Sequence, residues 1–155
     1  MNDGTGVRRI ASAGGEVVIA TDDERRVAYD TLHFAPARRA GNVLYVSGVI
    51  VRRLAHEGND EAAFRDQTRR AFRTIEARLH AAGATFAEVA LINSFHVWTS
   101  PNFAGDRDAH FRAFAAVKDE FVPKPYPAWT AVGSPGLMGD GLVEIQVIAH
   151  LSEPS

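Results

Sequence analysis

The feature that most constrains this chain is one long apolar stripe. Phe64, Thr68, Ala71, Phe72, Ile75, Leu79 and Ala82 recur at intervals of three and four, which places them on one side of an α-helix. Arg65, Arg69, Arg73, Glu76 and Arg78 fall off that stripe and read as its wet side. Asn59 or Asp60 can cap the start, and Gly83 can close the end in a left-handed conformation. A helix with a single apolar side must lie on a second layer. The flanking sequence supplies a sheet. Val43 to Val51 is β-branched and aromatic and reads as a strand buried on both faces. Val89 to Trp98 reads as another strand.

A second helix is expected over residues 103–121, with Phe103, His110, Phe111, Phe114, Val117 and Phe121 inward. Pro123 and Pro125 end it. Two strands follow, Ala128 to Val132 and Leu142 to Leu151, joined by a glycine-rich turn into a closing hairpin. Upstream, Val17 to Ala20 reads as a short strand, and Thr21 to Arg26 breaks the apolar pattern. His33 to Arg39 contains Pro36 and reads as an edge strand, turned at Gly41-Asn42 into the strand beginning at Val43. The order is hairpin, helix, strand, helix, hairpin, with right-handed crossovers. This predicts an α+β two-layer sandwich: a mixed sheet with two helices on one face. On the last strand, Val143, Ile145, Val147 and Ala149 should face the helices. Glu144, Gln146, Ile148 and His150 would face away. That second set is too polar for a dry core and too apolar for a solvated face, which suggests a symmetric oligomer.

The 155 residues fit one domain, 1–155, with 1–6 a flexible start. Net charge is −2 with both signs mixed, which gives no drive toward nucleic acid or an anionic membrane. The chain has no cysteine, so disulfides, thiolate metal sites and a cysteine nucleophile are excluded, and a reducing, cytoplasmic setting fits. The six histidines show no helical metal spacing, so no metal is expected. No apolar run reaches membrane-span length, and the first residues do not read as a secretory signal. Gly136 to Gly141 mimics a dinucleotide fingerprint but sits in a turn.

Several stretches together resemble one family. Gly41-Asn42-Val43-Leu44-Tyr45-Val46-Ser47-Gly48, the helix end Ala81-Ala82-Gly83-Ala84, and Pro127-Ala128 followed later by Val143-Glu144-Ile145 are similar to the RidA/YjgF (reactive intermediate deaminase) superfamily over about residues 33–151. Pro125 to Gly133, Ser94-Phe95-His96 and Val117-Lys118 resemble its YjgH-like subgroup. The resemblance implies a chorismate-mutase-like fold, a homotrimer, clefts between subunits that take a small molecule, and no cofactor.

In the family's imine deaminases an arginine after Pro-Ala anchors the substrate carboxylate, and a glutamate fifteen positions later orients water. Glu144 stands at the glutamate position and Trp129 at the arginine position. An indole cannot form the two-pronged bond of a guanidinium. Efficient 2-imino acid deamination is therefore not expected. Trp129 would stack an aromatic, apolar or cationic ligand, or else plug the cleft. Glu144 would be a general acid or base for a hydrolase or deaminase, or an interface-paired carboxylate. Ser47 and Gly48 are expected on the cleft wall and Phe34 as a wall from the neighbour. Tyr126 would offer a hydroxyl, and His96 a proton donor or acceptor. The competing reading is a non-catalytic ligand-binding or scaffold trimer.

Overall fold

The computed structural model describes residues 6–152. Apart from Gly6, the expected flexible start lies outside them. Seven strands form one mixed sheet: β1 (Arg8–Ser12), β2 (Gly15–Ile19), β3 (Ala37–Ala40), β4 (Val43–Val51), β5 (Val89–His96), β6 (Ala128–Gly133) and β7 (Val143–His150). Their spatial order is β1-β2-β3-β4-β7-β5-β6. Only the β5–β6 pair is parallel. α1 (Asp22–Glu24) runs directly into a π-helical stretch, Arg25–Thr31. Two long helices, α2 (Glu61–Ala81) and α3 (Arg107–Phe121), complete the chain.

The stripe of α2 behaves as its spacing dictates. Phe64, Ala71, Phe72, Ile75 and Leu79 are buried against the sheet, and at about 25 cal/mol per Å2 such side chains drive the layer packing. Asp60 is the cap, accepting from the Ala63 amide at 2.8 Å. Gly83, at φ 79°, lets the Ala84 amide turn back to the Leu79 carbonyl. α3 begins at Arg107, later than its sequence suggests, because Asp106 caps it with a bond from the Ala109 amide.

Five expectations need correction. The last two strands do not form a hairpin: β7 inserts between β4 and β5, and β6 pairs with β5 at the far edge. The apolar alternation of β7 explains this, since a strand buried on one face at 143, 145, 147 and 149 belongs at the sheet centre. The segment through Pro36 is not an edge, because β1 and β2 extend the sheet beyond β3. Pro36 itself precedes the strand, so no ladder donor is lost there. β4 is buried on one face only; Tyr45, on the other, is 48% exposed. Phe111 of α3 is half-exposed rather than inward. Arg78 is not on the wet side of α2 but 7% exposed.

Candidate functional site

Cross-strand register assigns the two faces of the sheet. Val143, Ile145, Val147 and Ala149 are buried under the helices as expected. Ser94 is opposite Ile145 and Ala131, and Ile92 is opposite Trp129, so Ser94 and Trp129 share the helix face. Glu144 is opposite Phe95 and Ile50, and Phe95 is opposite Val132; these four share the open face. Trp129 and Glu144 therefore lie on opposite sides of the sheet. Within one subunit the indole and the carboxylate do not line the same cavity. A parity count across β5, β6 and β7 settles it, and that count requires the pairing order, which sequence alone gave wrongly.

On the open face, β4 has a bulge. Register slips between Val46 and Val49, leaving Ser47 and Gly48 in the extra turn of the strand. The Glu144 side chain folds over Gly48: a Cβ built there would sit 2.8 Å from the Glu144 carboxyl carbon. Only glycine leaves that space open. Ser47 is pinned to the preceding segment, its Oγ donating to the Ala35 carbonyl at 2.6 Å and its amide to the Pro36 carbonyl at 3.0 Å. Glu144 is half-buried, and its side chain makes no hydrogen bond or ion pair among the described residues. Its neighbours on the face are Ile50, Phe95, Val132, Asn93, Thr130 and Gln146, none of them cationic. Asn93 donates to Gln146 at 3.3 Å.

On the helix face a different cluster forms. The Trp129 indole stacks on Phe111 at 5.3 Å with 3° between planes, and Lys118 Nζ lies 4.7 Å from its ring centre. The indole N–H donates to Ser94 Oγ at 2.9 Å. Ser94 Oγ and His96 Nε2 are 2.7 Å apart, and His96 Nδ1 and His110 Nε2 are 3.0 Å apart. Indole is a donor only, so the serine can pass its own proton toward His96, which then donates to His110. That polarity leaves one unmatched group, the buried His110 Nδ1; the reverse would also strand the serine hydroxyl proton. Burial pushes His96 down to about 3, helped by His110, and burial pushes His110 down to about 4. Both are neutral at physiological pH. Trp98 stacks on His96 at 4.6 Å. His96 is thus a core residue rather than an open-face one.

Of the other expected residues, Ser47 and Gly48 join Glu144. Phe34 is 40% exposed and lines a cleft against α2. Tyr126 is 63% exposed on the loop before β6, where Lys124 Nζ lies 5.8 Å from its ring centre. Sequence reasoning missed Arg78. Its guanidinium is buried between the Glu24 carboxylate, at 2.6 Å, and the carbonyl of Ser47, at 3.1 Å. No helical period predicts an inward arginine; the acidic run Asp22-Asp23-Glu24 was the only available hint. Among the described residues, no cluster of His, Asp or Glu could hold a metal, and no helix is long and apolar enough to cross a membrane.

The sheet order, the Ser47-Gly48 bulge and the glutamate across it define an α+β domain of one recognised class. Residues 27–151 match the family described as Endoribonuclease L-PSP, and the chain belongs to that family, RidA/YjgF. It is 38% identical over 130 residues to the RutC family protein YjgH of Escherichia coli (strain K12), covering 83% of this chain and 91% of that protein. The solved structure of YjgH superposes with a TM-score of 0.64 at 37% identity over the same shares of the two chains. Rv2704 of Mycobacterium tuberculosis, a member of the YjgF/YER057c/UK114 family, superposes at 0.61 with 27% identity, covering 93% of this chain and all of that one. RidA from an Antarctic Psychrobacter superposes at 0.61 with 26% identity, over 76% and 88%.

Proposed function

We propose that this chain works as a homotrimer of chorismate-mutase-like subunits whose open sheet faces are closed by neighbouring copies, and that small molecules bind in the resulting clefts beside Glu144. The observation that carries this reading is the Glu144 carboxylate, held over Gly48 on a half-apolar face and without a hydrogen bond or ion pair among the described residues. A carboxylate so placed can take a proton from water and return it to a leaving amine. The reaction class is hydrolysis of a C–N bond: water adds to a polarised carbon, Glu144 accepts the proton, and the amine leaves with it. The uncharged cross-strand neighbours of Glu144 favour an uncharged, apolar or aromatic substrate over a 2-imino acid, whose carboxylate would meet another carboxylate. Ser47 and Gly48 form the wall, and Trp129 keeps β6 seated from the opposite side. No cofactor is required.

A second reading is a ligand-binding or scaffold trimer without turnover, favoured by the apolar lining of Ile50, Phe95 and Val132 around Glu144. Ammonia release from a panel of neutral imines and enamines separates the two. Under the enzymatic reading, Glu144→Gln lowers turnover by about two orders of magnitude or more, the usual share of a general base. Equal rates in that variant would remove the mechanism, and binding of the panel without turnover would establish the second reading.

A further inference from the structure

The family match begins at residue 27, and the residues just before it build part of a separate cleft. This cleft, about 790 Å3, opens between α1 with its π-helical continuation and the outer side of α2. It lies within the size range of small-molecule sites. Thr21, Asp23 and Glu24 form one rim. Val27, Ala28, Phe34 and Ala77 make the lining largely apolar, and the wide π-helical turn that presents Val27 and Ala28 is a form that recurs at functional sites.

Most charged side chains around the cleft hold a direct partner, and Arg69 is shared between Asp66 and Glu120. Asp23 binds Arg26, and Asp66 binds Arg69. Arg70 binds Glu57, and Arg78 binds Glu24. Arg73 also lines the cleft and makes no hydrogen bond or ion pair among the described residues. The Arg73 guanidinium feels the Glu120 carboxylate but bonds to no acid directly, so its donors face the trough beside the half-exposed Phe34. We infer that this cleft binds an amphipathic monocarboxylate, an aromatic ring carrying one acid group, with the acid on Arg73 and the ring against Phe34. A guanidinium fork suits a carboxylate. A second acid group on the ligand would meet Asp23, Glu24 or Asp66, so the site selects for one charge. Nothing in this inference rests on Glu144 or on the trimer.

The test titrates 3-phenylpropionate and its neutral isostere, 3-phenylpropanamide, into the full chain, followed by amide shifts of Val27, Ala28 and Ala77 in NMR. The acid should bind about fivefold more tightly than the amide, as a partly exposed ion pair supplies. Arg73→Gln should bring the acid to the level of the amide. Phe34→Ala should weaken both alike, and Glu144→Gln should change neither. Arg73 is exposed, so its replacement does not threaten the fold. Unmoved shifts at Val27, Ala28 and Ala77, or equal acid affinity in Arg73→Gln, would overturn the inference. So would a change in acid affinity with Glu144→Gln alone, which would place the ligand on the open face instead.

Discussion

The carboxylate of Glu144 occupies the space in which any residue other than glycine at position 48 would put its Cβ. The two positions lie on neighbouring strands, and the β4 bulge brings them together. Glycine at 48 is therefore a condition on where the glutamate points as well as on strand packing.

Gly48→Ala tests that condition. The added methyl meets the far end of a flexible side chain, so the fold should lose only about 1 kcal/mol, at the low end of overpacking costs. The carboxylate, however, must swing away. We expect a urea midpoint near that of the native chain together with loss of the Glu144-dependent turnover or ligand binding. Full function in Gly48→Ala would show that the carboxylate position is not critical.

Trp129→Arg is the substitution that restores the imine deaminase pattern on paper. The structure predicts that it creates nothing. The side chain at 129 lies on the helix face, across the sheet from Glu144. The new guanidinium would instead lie beside Lys118 and lose the Phe111 stack and the bond to Ser94. Stability should fall by about 3 kcal/mol, at the low end of the range for large aromatic truncations. A coupled amino-acid-oxidase assay should find no gain in 2-imino acid deamination.

The His96–His110 pair gives the fold an acid limit. Both histidines have folded pKa values below their ordinary one near 6.5. The unfolded chain therefore binds protons first as pH falls. Stability is fully present above pH 6.5 and declines toward pH 4–3, by about 1.4 kcal/mol per unit for each histidine while only the unfolded form is protonated. Between pH 6.5 and about 5.5 carboxylates contribute little, so the slope there belongs to the histidines; below that, Glu57, Glu88 and Glu120, also held below their ordinary value, add to it. Chemical denaturation across the upper interval should show the histidine slope, and His110→Phe should reduce it. A flat profile in the native chain would contradict the burial of this pair.

Arg78 and Glu24 tie the N-terminal segment to α2. Both side chains are nearly buried, at 9% and 13% exposure, and Glu24 also accepts from the Ala20 amide at 3.0 Å. Arg78→Met alone should cost about 3–5 kcal/mol, because it strands a carboxylate and the Ser47 carbonyl. Adding Glu24→Gln should recover part of that loss. A double-mutant cycle by urea denaturation reads the coupling.

These relationships mark what the sequence makes legible. The α2 stripe, its Asp60 and Gly83 caps and the alternation along β7 are local periodic patterns, and the structure follows them. The partners of β6 and β7 are a matter of long-range order, and adjacency in the chain misleads there. Ser47, Gly48 and Glu144 could be grouped through family resemblance because motif spacing survives in sequence. The position of Trp129 could not, since the face of an edge strand depends on its register with β5. Arg78 escaped for a third reason: a buried charge is set by a partner fifty-four positions away, and no helical period encodes it.

Sedimentation velocity on the native chain and on Val132→Glu tests the central claim most directly. Val132 is exposed on the open face beside Phe95 and away from the helices. The account predicts a native species with the mass of three 16.8 kDa chains, and dissociation when a charge is planted at 132. A native chain that sediments as a monomer at micromolar concentration would contradict it, leaving the face that carries Glu144 open to water.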